Sequence, residues 1–229
     1  MEFSIIIVFL IFILIILAIV YKFSIKDVKK MAENKELDDI IKKMPSNVEI
    51  CRNILKKLHN ETVTIEEDEK ANNCLYIAMT NKIIIGNLRQ SYTRVQTIAH
   101  ECLHSIQDKR ILKSNFIYSN IYLIFFGVIS ILAILKVLPY KMMFLSFLII
   151  ASYIYYFIRS YLEMDAMTKA RFLAKEYLQE SKILEKEEID KVVAEYDKLN
   201  NLGIKFTNYD LMFRTFIKII IFAIICLVF

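Results

Sequence analysis

Four long apolar runs decide most of what this chain can become. Residues 3–21 are 19 positions without a charge, 116–135 are 20 and 142–158 are 17, while 211–229 are 19 and include Arg214 and Lys218. A helix rises about 1.5 Å per residue and a bilayer core is roughly 30 Å thick, so about 20 apolar residues cross it. The last run keeps its two cations four residues apart in its first turns, where long side chains reach back to the headgroups. A soluble core is no alternative, because the rest of the chain is too short to cover such helices. Tyrosines also gather at the run ends (Tyr21, Tyr118, Tyr122, Tyr140, Tyr155, Tyr156), as an interfacial belt requires.

The chain is 56% hydrophobic yet 24% charged, so the two kinds of residue must be segregated along it. With no basic stretch ahead of it and Ile19-Val20-Tyr21 at its end, the first run reads as an uncleaved anchor, not a signal peptide. Lys22, Lys26, Lys29 and Lys30 follow directly, which places the next segment in the cytoplasm. The expected organisation is an N-terminal transmembrane anchor (1–22), a cytoplasmic segment (23–114), a transmembrane hairpin (115–159), a second cytoplasmic segment (160–210) and a C-terminal transmembrane helix (211–229). Four cysteines without paired spacing (Cys51, Cys74, Cys102, Cys226) fit a reducing compartment.

Between the runs the local signals are short. Residues 24–44 read as a charged amphipathic helix ended by Pro45, and Ser46-x-x-Glu49 is a capping box opening a helix to about Leu58. Residues 63–65, 75–79 and 82–85 read as strands, the last two joined at Thr80-Asn81 and closed by Gly86-Asn87. Residues 91–113 return to helical periodicity. A helix over 159–180 and another over 184–199, stopped at Asn200, Asn201 and Gly203, complete the reading.

The chain has three histidines, and two of them bracket a glutamate in His100-Glu101-Cys102-Leu103-His104. Positions i and i+4 project from one helix face, which lets two imidazoles converge on one zinc ion while the intervening glutamate reaches water at the metal. Cys102 points to the far side as a packing residue, and His59 reads as a solvated surface histidine. A catalytic zinc needs a third protein ligand and an open position. With no histidine left nearby, the candidate is Glu163, which shares a helix face with Ala166 and Ala170, a small-residue stripe that would let two helices approach closely. Asp165 is the competing ligand or a group that orients a histidine, and Asp108 is another candidate for that supporting role.

These residues resemble the neutral zinc metallopeptidases of the YugP type, membrane proteases of bacteria. That family carries a segment like A-A-H-E-x-G-H-A-I-Q before two spans and one like E-F-D-A-S-R-R-A after them. The chain reads Ile98-Ala99-His100-Glu101-Cys102-Leu103-His104-Ser105-Ile106-Gln107 and then Glu163-Met164-Asp165-Ala166-Met167-Thr168-Lys169-Ala170. Leu103 stands for the family glycine and Thr168-Lys169 for its paired arginines. Membrane zinc proteases of the HtpX type offer a wider likeness, H-E-x-x-H plus E-x-x-A-D-x-x-A with the first glutamate on the metal. Glu163, Ala166 and Ala170 fit that frame, with Met167 at the place of its aspartate. The resemblance implies a multi-pass protein of a bacterial inner or plasma membrane, with zinc on His100, His104 and Glu163.

The expected fold is thus a mostly α membrane protein, about four transmembrane helices with a small α+β zincin-like cytoplasmic domain. The expected function is a membrane-anchored zinc endopeptidase with Glu101 as general base, acting on a peptide or membrane-protein substrate from the bilayer. Arg171 and Tyr209 are candidates for stabilising the oxyanion, and the strand 82–85 is a candidate edge for an extended substrate. The alternative is a catalytically inactive zinc-binding scaffold or interaction protein. An intramembrane protease is disfavoured because the motif lies among Arg94, Gln96, Asp108, Lys109 and Arg110. Nucleic acid is not expected as a partner: the net charge of +5 comes from interspersed lysines and glutamates, not a basic stripe.

Overall fold

The computed structural model describes residues 2–21, 33–71, 73–88 and 91–229. Within them the chain forms α1 (Glu2–Tyr21), α2 (Lys35–Ile41), α3 (Asn47–Lys57), β1 (Thr64–Glu67), β2 (Leu75–Ile77), β3 (Lys82–Ile85), α4 (Arg94–Ile106), α5 (Lys109–Ile134), α6 (Lys141–Ser181) and α7 (Lys186–Val228). The protein is mostly helical. Among the described residues four helices, α1, α5, α6 and α7, are long and apolar enough to cross a membrane. The chain divides into two compact units, Met1–Phe23 with Ser114–Tyr161 and Lys205–Phe229, and Ser24–Lys113 with Leu162–Ile204.

The first unit packs the apolar stretches of those four helices around Leu10, Tyr122, Ile129, Leu145, Leu148, Phe216, Phe222 and Ala223. Its outer surface shows Phe9, Phe12, Ile121, Ile124, Phe147 and Ile150, a composition suited to hydrocarbon and unsuited to water. Arg214 pairs with Asp210 one turn back, Nε to Oδ2 at 2.7 Å. Lys218 sits over the rings of Tyr122 and Tyr155, 4.8 and 5.4 Å from their centroids.

The second unit is a three-stranded sheet with helices against it. Strand order is β1-β3-β2, with β1 parallel to β3 (Ile65 opposite Ile83) and β2 antiparallel to it (Tyr76 opposite Ile83). β3 is therefore the central strand, hydrogen-bonded on both sides, which corrects the expectation that residues 82–85 form a free edge for substrate. Asn81 takes the left-handed conformation (φ 51°) that the tight β2–β3 connection needs. At Gly86 an added Cβ would lie 2.5 Å from the Asn73 carbonyl oxygen, so only glycine fits there.

Burial on α4 follows a helical period, Val95, Ile98, Ala99 and Cys102, set against Ile50, Cys51 and Ile54 of α3 and Ile83 and Ile85 of β3 in one core. The Cys51 and Cys102 sulfurs are 3.7 Å apart, and Cys102 is the packing residue its position on the far helix face implied. Arg94 opens α4 by donating to Ile41 O and Met44 O at 2.9 Å, to Pro45 O at 2.8 Å and to Asn47 Oδ1 at 2.9 Å. On α6 the buried stripe is Leu162, Ala166, Ala170, Leu173, Ala174 and Tyr177.

Several boundaries differ from the sequence-based expectation. Of the helix expected over 24–44, the described residues hold the short α2, opened by the Asn34 side chain accepting from Leu37 N at 3.3 Å and ending at Ile41; residues 22–32 lie outside the described residues. The Ser46 cap is present, its hydroxyl accepting from Glu49 N at 3.3 Å. The helix expected over 91–113 breaks at Gln107 and Asp108. The expected pairs of span and soluble helix run together as the continuous α6 and α7. Asn200, Asn201 and Gly203 do not stop α7, because Gly203 has no positive φ and makes room for Met167, whose Cε would meet an added Cβ at 2.9 Å. Asn200 is buried and accepts from Gln96 Nε2 at 3.4 Å.

Candidate metal centre

The site lies wholly in the second unit and is built from three elements, α4, the start of the lower half of α6, and β2. On α4 the i, i+4 spacing stacks His100 and His104 on one face, their rings edge to face with centroids 4.6 Å apart and their Nε2 atoms 3.0 Å apart. On α6 Glu163 sits beside the buried Leu162–Ala166–Ala170 stripe. Its Oε2 lies 3.4 Å from His100 Nε2 and 3.7 Å from His104 Nε2. These three residues form a group able to hold a metal ion, the only one among the described residues whose ligand atoms converge within 4.8 Å.

Glu101 faces inward on the same helix and is 7% exposed. Its Oε2 accepts the Tyr76 N–H of β2 at 2.7 Å. Burial pushes its pKa up. The charges of His100 and His104 and the Tyr76 bond pull the other way, and Glu163 adds to the rise. For His104 burial favours the neutral ring, but the Glu163 contact, the Glu101 and Glu163 charges and the Gln107 bond outweigh it and raise its pKa.

The remaining candidates are placed as follows. Asp165 is not among the converging ligands. It pairs with Lys169 and accepts from Gln107 Nε2 at 3.0 Å, so it touches the site only through that glutamine. Its pKa is lowered, the Lys169 and Gln107 bonds overcoming the opposite effect of burial. Asp108, expected as a supporting group, instead caps the start of α5 by accepting from Arg110 N at 2.8 Å and pairs with the Arg110 guanidinium. Arg171 is engaged by Asp197, Nη1 to Oδ1 at 2.8 Å, and its guanidinium stacks on Phe172. Tyr209 belongs to the other unit, where it stacks on Phe213. His59 is exposed at the turn after α3.

Sequence reasoning missed Gln107. It ends α4 with an extended backbone (φ −64°, ψ 161°), and its amide joins both metal-binding elements. Oε1 is 2.8 Å from His104 Nδ1, and Nε2 donates to Leu162 O at 2.8 Å as well as to Asp165. The advance signals were a polar side chain three residues after His104, within reach of its ring, and its match to the last glutamine of the family segment, neither of which said what the amide would bond. No family model matches the chain, and no curated protein or solved structure matches it either.

Proposed function

We propose that this protein is a membrane-anchored zinc-dependent endopeptidase with a zincin-like site in its second unit. The observation that carries the reading is the meeting of an H-E-x-x-H helix with Glu163 at separations suited to tetrahedral coordination. Ligand atoms about 2.05 Å from zinc stand about 3.3 Å apart at tetrahedral corners, against about 2.9 Å on one octahedral face. The separations of 3.0, 3.4 and 3.7 Å centre on the first value. Two imidazoles, one carboxylate and a free fourth corner are the donor set of a catalytic zinc.

Zinc, when bound, would polarise a peptide carbonyl and make water a competent nucleophile near neutral pH. Glu101 accepts the proton of the attacking water and delivers it to the leaving amine. The Tyr76 N–H holds one of its oxygens, which leaves Oε1 for this exchange. A raised pKa suits a carboxylate that must carry a proton between the two steps. Since β3 is central, the proposed docking edge for an extended peptide is β2, one of the two edge strands and the one whose Tyr76 N–H reaches Glu101. The likeness to YugP-type metallopeptidases and the lysines after the first span support a bacterial membrane with the site on the cytoplasmic side.

The test is metal analysis and casein hydrolysis on the full chain in detergent. About one zinc per chain is expected, lost in His100→Ala, and folded metal-free protein would refute the site. Glu101→Gln should keep zinc and lose about 10²–10⁴-fold in hydrolysis. Unchanged hydrolysis in that variant overturns the mechanism, and zinc without hydrolysis in the wild type favours the scaffold reading.

A further inference from the structure

We infer that Gln107 is a positioning residue that assembles the metal-binding cup before an ion arrives, by fixing the tautomer of His104 and the register of the Glu163 helix with one amide. The inference rests on His100, His104 and Glu163 being metal ligands. The Leu162 carbonyl can only accept, so the amide end 2.8 Å from it is the NH₂ group. The Asp165 carboxylate, 3.0 Å from the same nitrogen, requires the same orientation. The other end, 2.8 Å from His104 Nδ1, is therefore the carbonyl oxygen, also an acceptor. The proton of the neutral imidazole must then sit on Nδ1, and the Nε2 lone pair faces His100 Nε2 at 3.0 Å, Glu163 Oε2 at 3.7 Å and the space an ion would fill.

The second half of the argument concerns Leu162, which immediately precedes Glu163. Bonding its carbonyl fixes the backbone that carries the third ligand against the ring that carries the second. His100 differs: among the described residues no hydrogen bond to its Nδ1 is found, and its ring is placed by edge-to-face packing on His104 and by its Nε2 contacts to His104 and Glu163. The choice of glutamine follows from the two tasks. A glutamate could accept from Nδ1 but could not donate to Leu162 O, and it would face the Asp165 carboxylate across a hydrogen-bond distance. A methionine of similar length could do neither.

The test uses the full chain in detergent, stripped of metal and labelled with ¹⁵N histidine. Only three histidines contribute signals, and exposed His59 serves as the reference. At alkaline pH, where the ring is neutral, wild-type His104 should show the Nδ1–H tautomer, with His104→Asn identifying its signals. In Gln107→Met it should revert to the Nε2–H form preferred in water. Cobalt(II) titration should show affinity about 10–100-fold weaker for Gln107→Met, a smaller loss for Gln107→Glu, and no change for Asp108→Ala, the adjacent control. An Nε2–H tautomer in the metal-free wild type overturns the inference whether or not the variants fold, as does wild-type cobalt affinity in Gln107→Met. If the wild type binds no cobalt, the metal reading fails, and the tautomer measurement still decides whether Gln107 sets His104.

Discussion

Replacing Glu163 or its neighbour Asp165 separates a ligand from a supporting group, because the two carboxylates sit on one helix at different removes from the histidines. Glu163 Oε2 is 3.4 and 3.7 Å from the two imidazole nitrogens, so Glu163→Ala takes away one of three donors. Partners one step outside the donors are worth about 10–100-fold in metal affinity, so a donor itself should cost more than about 100-fold, or about 2.7 kcal/mol. Asp165 acts at one further step. It holds Gln107 Nε2, which keeps its 2.8 Å bond to Leu162 O when the carboxylate is gone. Asp165→Ala should therefore cost about tenfold or less. Zinc competition against a chromophoric chelator measures both in the same detergent. A loss in Asp165→Ala equal to or greater than that in Glu163→Ala would mean the wrong carboxylate has been assigned to the metal.

Two glycines should respond in opposite directions to the same change. Gly86→Ala forces a Cβ to 2.5 Å from the Asn73 backbone oxygen and should cost about 3 kcal/mol or more, whereas Gly203→Ala meets only the mobile end of Met167 and should gain up to about 1 kcal/mol from helix propensity; thermal unfolding compares them. Tyr196→Phe removes a hydroxyl that donates to Tyr92 O at 2.7 Å in a fully buried position while keeping the ring stack, and should lower stability by about 1–2 kcal/mol in the same assay. All four cysteines are buried, and burial pushes the Cys74 thiol from 9.0 to about 11. Native protein should therefore resist iodoacetamide at pH 8 and label fully once unfolded, as mass spectrometry would show. Between pH 9 and 11 the unfolded chain ionises this thiol before the folded one does, so stability should fall as pH rises through that window, and a flat denaturation profile there would contradict the burial.

The legible parts of this protein are those written in one segment at a time. Uncharged runs announce the long apolar helices, Ser46 announces the start of α3, and the spacing of His100, Glu101 and His104 places all three on α4. Partners across the fold are another matter. That β3 lies between β1 and β2 is a long-range choice that the alternation of residues 82–85 cannot reveal, since an edge strand carries the same pattern. Asn200, Asn201 and Gly203 carry the chemistry of a helix end, yet that chemistry equally serves a close contact with Met167 and a bond to Gln96. Gln107 stands in the segment that carries the family resemblance, yet its role was illegible for a similar reason: an amide declares how many bonds it can make and never to whom.

The Arg94 clamp reaches further than its place at the start of α4. Its guanidinium gathers the carbonyls of residues 41, 44 and 45, some fifty positions earlier, so one side chain finishes α2 while beginning the helix that bears both histidines. Fraying of α4 at that junction strands the carbonyls that Arg94 satisfies, and fraying of α2 strands the buried guanidinium donors. The two segments should therefore open as one cooperative unit, with amide hydrogens of α2 and of the first turns of α4 expected to exchange with solvent in a common event. The short seven-residue α2, too brief to persist alone, should thus share the lifetime of the helix that bears both histidines.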